Sequence, residues 1–167
     1  KAMQEAVPVG KGSMLAILGA KIKDIYDLLN SFKEKGVCEI ANDNADGQVI
    51  VSGDKDSIVS FQSLLKEKKI KSIPLKVSAP FHCSLMKSAA DKMSDKIKNT
   101  NFRSPTHSIL SNVTAKIEKN PENIKKLLID QIFSTVKWRE TIINISNEGV
   151  SNFVEIGPRK VLTGMVK

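Results

Sequence analysis

The stretch VSAPFHCSLM (Val77–Met86) contains His82, one of only two histidines among the 167 residues. A strand-like segment, IKSIPLKVS, precedes it, and a helix-like segment, SLMKSAADKMSDKIKN, follows it. Sites of α/β proteins commonly lie at the carboxyl ends of strands, and imidazole is the side chain best suited to move a proton near neutral pH. His82 is therefore a candidate general base, although a capping or surface histidine fits the same position.

A nucleophile that His82 could activate is harder to find. Cys83 and Ser84 follow it directly, but adjacent side chains seldom converge on one another. Ser84 is better interpreted as the cap of the helix that follows. A G-x-S-x-G elbow, which presents a serine at a strand-to-helix turn, occurs nowhere in the chain. The histidine thus predicts only part of an acid–base site.

Three amide side chains could also face such a site. Gln131 falls within the apolar stripe of a predicted helix, where a buried amide needs hydrogen-bond partners; a position at the edge of the stripe explains it equally well. The segment NDNADGQVIVSG places Asn42 and Asn44 beside a cluster of turn-forming residues. Such residues are ordinary in a hairpin, but their amides could also line a pocket.

The composition favours a globular domain with a lysine-rich surface. Lys and Arg number 26 against 18 Asp and Glu, which gives a net charge of +8, and the only arginines are Arg103, Arg139 and Arg159. Base recognition favours arginine, so we expect no nucleic-acid partner, whereas a basic surface suits an acidic protein or a phosphate-bearing cofactor. No apolar run approaches the roughly 20 residues that span a membrane. The two cysteines indicate free thiols in a reducing, cytoplasmic compartment, and no motif indicates a metal site.

The residues before the histidine predict the order β-α-β-β-α-β, the ferredoxin-like arrangement, over Val9–Ser78. Strands are predicted at residues 13–18, 37–42, 48–53 and 70–78, with DNADG (43–47) as a turn. The first helix is predicted over 21–36, ending at Gly36. The second is capped by Asp54, with Ile58, Phe61 and Leu65 on its apolar face. In the last strand, Ile73, Leu75 and Val77 are expected to point inward.

The residues after the histidine predict helices alternating with strands, a pattern that favours parallel α/β packing. Strands are predicted at 107–113 and 152–158. The helices carry apolar stripes, and the last of them covers 160–167. The stripes comprise Leu85, Ala89, Met93 and Ile97, then Ile124, Leu127, Leu128 and Ile132 after an Asn120-Pro121 start, then Trp138, Ile142 and Ile145 before Gly149. Because so few strands make a poor sheet alone, we expect residues outside the chain to complete it.

Five segments in order resemble one known family, the malonyl-CoA:acyl carrier protein transacylases of fatty-acid and polyketide synthesis. They are NDNADGQVIVSG, VSAPFHCSLM, SNV (Ser111–Val113), QIFSTVKWRETI and VEIGPRKVLTG, and the leading KAMQEAVPVGKGSMLAILG resembles the family as well. The resemblance covers essentially the whole chain. It implies a ferredoxin-like small subdomain (9–78) inserted into an α/β-hydrolase-like large subdomain, to which 1–8 would be a connector and 79–167 the C-terminal part.

The resemblance also implies a function. Members of this family transfer a malonyl group from malonyl-CoA to the phosphopantetheine thiol of acyl carrier protein through a serine ester, without a permanent cofactor or metal. Malonyl-CoA and acyl carrier protein would be the partners, and the full-length protein would be a cytoplasmic monomer. His82 matches the base that deprotonates the serine and later the thiol, and Gln131 matches the residue whose carbonyl orients the imidazole in place of a triad aspartate.

Four further positions match the substrate cleft of the family. Phe81 resembles the aromatic residue that narrows the space beside the acyl α-carbon, so that a branched acyl group would clash. Asn42, Asn44 and Asn112 match polar positions near the cleft.

The chain also departs from the family pattern. The serine elbow and the arginine that pairs with the malonyl carboxylate would lie upstream of Lys1, so we expect the 167-residue chain alone to be inactive, because triad members act as a unit. Asp43 and Asp46 replace hydrophobic and proline residues. Two alternatives stay open: a non-catalytic fragment that docks acyl carrier protein, and a basic ferredoxin-like RNA-binding module, although the latter needs exposed aromatics on its central strands, which VCEIAN and QVIVSG lack.

Overall fold

The structure is a computed structural model that describes residues 1–166. After a short helix α1 (Ala2–Glu5), four strands form one sheet: β1 (Gly12–Leu18), β2 (Cys38–Ala45), β3 (Gln48–Asp54) and β4 (Lys71–Pro74). Their spatial order is β2-β3-β1-β4, and every pairing in the sheet is antiparallel. Helix α2 (Ile22–Ser31) connects β1 to β2, and helix α3 (Lys55–Glu67) connects β3 to β4. The predicted β-α-β-β-α-β order is therefore the order observed.

The main hydrophobic core lies between the sheet and these two helices. Alternate residues of β1 and β3 project toward the helices because side chains of a strand alternate between its faces. The fully buried members are Leu15, Ile17, Val49 and Val51 from the strands, and Ile25, Phe61 and Leu65 from the helices. The apolar face predicted for α3 is confirmed, and so is the mixed α/β class.

The second face of the sheet is covered by the segment that leads to His82. Gly12 permits this close approach, since a Cβ atom there would lie 2.3 Å from the ring of Pro80. The thiol of Cys83 donates a hydrogen bond to the Pro80 carbonyl, 3.2 Å away. Ala79 and Met86 join Val7 in a second buried cluster. The segment that carries the histidine is therefore packed against the sheet at Pro80.

Two predicted element boundaries in the first half are wrong. The first helix ends at Ser31 rather than Gly36, because Phe32 turns into an extended conformation that places its ring 5.1 Å from that of Phe61, edge to face. Strand β2 continues through residues 43–45 with two bulges, so the predicted turn shrinks to Asp46-Gly47. A two-residue Asp-Gly turn with Gly47 at positive φ is typical of a tight hairpin.

The predicted inward direction of the last strand is also wrong. Ile73 is 45% exposed and Val77 is 40% exposed. The strand lies at the edge of the sheet and ends at Pro74, which cannot donate to the ladder, so Val77 lies beyond the sheet. Asp54 occupies the position before α3 but does not cap it with its side chain. Its carboxylate instead accepts a 2.6 Å hydrogen bond from the backbone N–H of Val37.

The second half is mainly helical. It comprises a 3₁₀ turn (Ser84–Met86), α4 (Lys87–Lys98), a two-stranded antiparallel pair of β5 (Ile109–Leu110) and β6 (Ile117–Glu118), α5 (Pro121–Gln131) and α6 (Trp138–Asn147). Asn120 caps α5 as predicted, accepting from the backbone of Glu122 and Asn123. The α5 stripe is correct except at Leu128, which is 46% exposed.

The second half forms no parallel sheet among residues 1–166, and the parallel sheet expected with residues outside the chain stays a prediction. The strand predicted over 107–113 is reduced to β5, and its partner β6 runs antiparallel to it. The segment 152–158 has no strand, and Val154 and Ile156 are 84% and 95% exposed. A strand is defined by its hydrogen-bonded neighbour, and no strand among residues 1–166 pairs with this segment. The apolar alternation that suggested a strand therefore has no partner within the described chain.

The final predicted helix is also shorter than expected. Only a 3₁₀ turn, Thr163–Met165, forms there, and Lys167 lies outside the described residues. The carboxylate of Glu155 accepts hydrogen bonds from the backbone N–H groups of Leu162 and Thr163 and from the Thr163 hydroxyl. Within residues 1–166, no helix is long and apolar enough to cross a membrane.

Candidate functional site

His82 adopts an unusual backbone conformation. Its φ of 59° lies in the left-handed region, and only two other non-glycine residues of the described chain have a positive φ. Such a conformation costs on the order of 1–3 kcal/mol and persists only where surrounding contacts enforce it. The sequence gives no sign of this strain, because an L-residue such as histidine has no special preference for it beyond a modest enrichment. The contacts that keep His82 in this conformation therefore also fix the position of its ring in the site.

The first contact is made by the imidazole ring. Its Nδ1 atom lies 3.0 Å from the backbone carbonyl oxygen of Gln131. A carbonyl oxygen can only accept a hydrogen bond, so Nδ1 carries the proton in the neutral ring. The other ring nitrogen, Nε2, is then unprotonated and has a free lone pair. This is the tautomer that a general base requires.

The position of Gln131 explains why its carbonyl is available. Gln131 is the last residue of α5, and the last four carbonyls of a helix have no partner within the helix. The carboxyl end of a helix carries a partial negative charge, which favours a positive charge nearby. The imidazolium formed when His82 accepts a proton is therefore stabilised by the same helix end that fixes the ring.

The structure modifies the role expected for the Gln131 side chain. Its place in the α5 stripe suggested that the side-chain amide could face the site, but the contact to His82 comes from the main chain. The side-chain Nε2 donates to the Ser134 carbonyl, 3.1 Å away, and among residues 1–166 no donor reaches the buried Oε1. Any residue at this position could supply the same backbone carbonyl. The identity of the side chain therefore does not predict the contact to His82.

The second contact lies just after the histidine. Glu39 of β2 accepts hydrogen bonds from both the backbone N–H and the hydroxyl of Ser84, at 2.8 and 2.6 Å. The prediction that Ser84 caps the following helix is therefore wrong: Ser84 is the first residue of the 3₁₀ turn, and its hydroxyl donates to a carboxylate. The Glu39 carboxylate is the group that satisfies the start of this turn.

The third set of contacts fixes the segment after Gln131 to the free edge of β2. Val136 forms a parallel bridge with Asn42, in which its N–H donates to Ala41 and its carbonyl accepts from Asp43. The hydroxyl of Thr135 donates to the Ile40 carbonyl, 2.6 Å away. Strand β2 therefore supports the His82 segment through Glu39 and supports the Gln131 segment through its backbone.

An ion pair reinforces this junction. Arg139, in the first turn of α6, donates to both carboxylate oxygens of Asp43 at 2.8–3.1 Å. The Asp43 side chain is only 6% exposed and that of Arg139 is 33% exposed. The hydrogen bonds to Asp43 raise the pKa of the Arg139 guanidinium above its ordinary value. The Asp43 carboxylate thus has a basic partner nearly a hundred residues away in sequence.

A groove of about 480 Å³ opens beside His82. Its lining combines residues of α2 and β2 with the segment after Gln131: Tyr26, Leu29, Asn30, Cys38, Glu39, Ile40, His82, Phe133, Ser134 and Thr135. The lining combines apolar and aromatic residues with an equal number of polar ones, so the groove is more polar than a typical small-molecule pocket. The described residues hold no group of three or more His, Cys, Asp or Glu side chains that could bind a metal ion.

The remaining predicted site residues do not line this groove. Phe81 is half-buried and packs on the cluster of Val7, Ala79 and Met86. Asn44 is 7% exposed, in the second bulge of β2, and Asn42 pairs with Val136. Asn112 is half-buried, and its carbonyl accepts a hydrogen bond from the backbone of Lys137. These three asparagines are thus near the β2 junction by their backbones, whereas the ring of His82 faces α5.

The two thiols have properties that separate them from a nucleophile. Burial, followed by the nearby Cys83 and Glu39, raises the pKa of Cys38 from 9.0 to about 12. Burial likewise raises the pKa of Cys83, which is fully buried. A thiol needs a lowered pKa to react at neutral pH. Neither cysteine is therefore activated, in agreement with the sequence interpretation.

Sequence reasoning missed Glu39, Asp43 as an ion-pair partner, and Arg139. Glu39 is a charged residue in a strand with one buried face, which is the ordinary pattern for the solvent side of such a strand, so nothing in the sequence singles it out. Asp43 and Arg139 each lie in a largely polar segment, NDNADG and STVKWRET, where one more charged residue attracts no attention. Only the fold brings them together, because no rule of spacing links positions in a hairpin to a helix so far along the chain.

Known proteins match this chain over essentially its whole length, both in sequence and in structure. No family model matches the chain. The malonyl CoA-acyl carrier protein transacylase of Haemophilus influenzae is 39% identical over 168 residues, covering 100% of this chain and 54% of that protein. An acyl carrier protein S-malonyltransferase from Vibrio cholerae has a TM-score of 0.95 and 38% identity, over 99% of this chain and 54% of the other.

A third similar structure contains a partner. It is a type II PKS acyl-carrier protein in complex with its malonyl-transacylase, which matches with a TM-score of 0.94 and 37% identity, over 99% of this chain and 54% of that one. The chain spans about half the length of the curated relatives it matches. Over its whole length, in sequence and in fold, the chain is homologous to the malonyl CoA-acyl carrier protein transacylases.

Proposed function

We propose that this chain supplies the general base of a malonyl transferase, which moves a malonyl group from malonyl-CoA to the thiol of acyl carrier protein. The observation that carries the proposal is the 3.0 Å hydrogen bond from Nδ1 of His82 to the Gln131 carbonyl, which leaves Nε2 free to accept a proton. The names of the homologues supply the substrate and the acceptor.

The reaction proceeds in two halves. Nε2 of His82 removes the proton of a serine hydroxyl, whose oxygen attacks the thioester carbonyl of malonyl-CoA; the imidazolium then returns the proton to the departing CoA thiolate. In the second half Nε2 takes the proton of the phosphopantetheine thiol, which attacks the serine ester, and the serine oxygen recovers the proton. General base catalysis of this kind contributes typically 10²–10⁴-fold to a rate. The serine belongs to a part of the protein outside these 167 residues.

Other residues have roles in the same proposal. Phe81, adjacent to His82, limits the size of the acyl group and so favours malonyl over branched acyl groups. Asn42, Asn44 and Asn112 are candidate contacts to the substrate. Two of them lie beside the segment after Gln131: Asn42 is paired with Val136 in the bridge, and the Asn112 carbonyl accepts a hydrogen bond from the Lys137 N–H. The lysine-rich surface would attract an acidic carrier protein. Free, unreactive thiols are consistent with a reducing, cytoplasmic setting for the reaction.

The RNA-binding alternative is not favoured. An RNA-binding sheet of this topology needs an open face with aromatic side chains on which bases can stack. Here residues on both faces of the sheet are buried: Leu15, Ile17 and Val51 on one, and Met14, Ala16 and Ser52 on the other. Docking of acyl carrier protein without catalysis would not require the Nδ1 contact that orients the ring of His82.

A transfer assay tests the proposal. The complete protein encoded around this chain is incubated with radiolabelled malonyl-CoA, with or without holo-acyl carrier protein. We expect label on the carrier protein when it is present and a denaturation-resistant ester on the enzyme when it is absent. The 167-residue chain serves as the control and should form no ester. Absence of label from both proteins would refute the function, and an ester on the short chain would refute a serine elsewhere.

A further inference from the structure

The strained conformation of His82 must be enforced from both sides of the residue. On the ring side, the Gln131 carbonyl fixes Nδ1. On the chain side, the next residue, Cys83, is held by its bond to Pro80, which precedes the histidine. After the histidine, another element contacts the chain at Ser84, two residues further along, where Glu39 of β2 accepts two hydrogen bonds. A left-handed residue relaxes when its flanking segment can rotate, so the contact at Ser84 sets how far the ring can move.

The Glu39 carboxylate suits this position for a chemical reason. Ser84 presents two donors side by side, its backbone N–H and its hydroxyl, and an ionised carboxylate has two oxygens that accept both. Each oxygen of Glu39 takes one of them, at 2.8 and 2.6 Å. Hydrogen bonds to a charged acceptor are stronger than neutral ones. Two such bonds to adjacent groups define an orientation as well as a distance.

The strand that carries Glu39 also supports the other side of the ring. The backbone of β2 at Ala41 and Asp43 binds Val136, five residues after Gln131. The segment after the helix end that holds Nδ1 and the turn that follows His82 are therefore both hydrogen-bonded to the same edge strand. A displacement of the turn relative to β2 changes the position of Nε2 relative to whatever it must deprotonate.

We propose that Glu39 is a positioning residue for His82: through its two hydrogen bonds to Ser84 it fixes the left-handed turn and so the place of the Nε2 atom. This role rests on the proposed function of His82 as the general base. Glu39 lines the same groove as His82, but it acts on the turn rather than on the reacting atoms. Its contribution is therefore to the rate of proton transfer and not to substrate affinity.

The kinetic test uses the complete protein with Glu39→Ala, Glu39→Gln and Ser84→Ala. A misplacement of about 1 Å can cost about 10²-fold in rate, so we expect kcat of malonyl transfer to fall roughly 10–100-fold in Glu39→Ala, with the KM for malonyl-CoA nearly unchanged. Glu39→Gln can accept only one of the two donors through its carbonyl oxygen and should recover part of the loss. Ser84→Ala retains the backbone N–H and should also lose less than Glu39→Ala.

A double-mutant cycle and a matched control make the result specific. Because Glu39 acts through Ser84, the loss in Glu39→Gln/Ser84→Ala should be smaller than the product of the two single losses. Glu67→Gln removes one carboxylate from the exposed end of α3 and should leave kcat unchanged. The proposal would be overturned if Glu39→Ala raised the KM for malonyl-CoA and left kcat unchanged. It would also be overturned if the two substitutions of the cycle had independent effects on kcat.

A second readout does not depend on activity. In a ¹⁵N-edited proton spectrum of the imidazole groups, the Nδ1 proton of His82 should be protected from exchange in the wild-type protein and should exchange faster in Glu39→Ala and Glu39→Gln. Circular dichroism establishes that these variants remain folded. Unchanged protection in a folded Glu39→Ala would contradict the positioning role even if the wild-type protein transferred no malonyl group. If the wild-type protein transferred malonyl groups and the Glu39 variants had the same kcat and the same Nδ1 proton exchange, the proposed function would stand and Glu39 would have no part in it.

Discussion

At the scale of single residues, the candidate site depends on which atoms are free. His82 has one ring nitrogen bound to a carbonyl and one without such a bond, so its chemistry follows from the Nδ1 contact. The sequence identified the histidine from its place between a strand and a helix. It could not identify the backbone carbonyl as the partner, because every residue has one and only the end of α5 leaves this one available.

The two thiols provide a test of burial at the same scale. With a pKa of about 12, Cys38 should be about a thousandfold less ionised at pH 8 than a thiol of pKa 9.0. Only the thiolate reacts, so alkylation of Cys38 by iodoacetamide should keep rising about tenfold per pH unit up to about pH 12, whereas an unburied thiol levels off above pH 9.0.

The rates can be followed by mass spectrometry of the tryptic peptides. The protein unfolded in urea is the reference, in which both cysteines should react at the ordinary rate. Rapid labelling of Cys38 in the folded protein at pH 8 would show that burial does not suppress its ionisation.

At the scale of elements, the β2 edge and the segment after α5 form the junction on which the site rests. Asp43 and Arg139 are its charged component, and the carboxylate is almost fully buried. Removing one partner of a buried ion pair leaves the other charge without compensation, whereas replacing both by apolar residues is often neutral or stabilising.

We therefore expect Arg139→Leu to destabilise the fold by about 3 kcal/mol, because the Asp43 carboxylate stays buried. The double variant Asp43→Val/Arg139→Leu should recover to within about 1 kcal/mol of the wild type. Urea unfolding followed by the fluorescence of Trp138, the only tryptophan, measures both.

Arg103→Leu changes an exposed arginine and is the matched control, with an expected effect near zero. If the double variant were as unstable as Arg139→Leu, the ion pair would contribute specific stability that apolar contacts cannot replace.

Local patterns in the sequence predicted most elements but not their ends. The α3 stripe and the Asn120 cap follow from spacing and side-chain chemistry, and both are observed. The first helix ends early because Phe32 packs on Phe61, a contact between residues far apart in sequence. Ile73 and Val77 alternate like a buried strand, yet the strand is a short edge that ends at Pro74. Periodicity records what a segment could bury, and the partner decides what it does bury.

At the scale of the whole molecule, the first half forms a sheet with its own core and the second half does not. The antiparallel sheet of β1–β4 could be predicted because its pairings lie within about 65 residues of chain. The apolar segment 152–158 has no strand beside it among residues 1–166, so the strand predicted there does not form within the described chain. Five motifs in order indicate the function more strongly than the His82 segment does, because each segment alone fits several classes of protein.

The central claim is that His82 is the general base. Rapid-quench measurement of enzyme acylation by radiolabelled malonyl-CoA tests it in the complete protein, comparing wild type with His82→Ala and with His107→Ala, the exposed second histidine. We expect His82→Ala to slow acylation by about 10²–10⁴-fold while the protein stays folded, and His107→Ala to acylate at the wild-type rate. Acylation of a folded His82→Ala variant at a near wild-type rate would contradict the account.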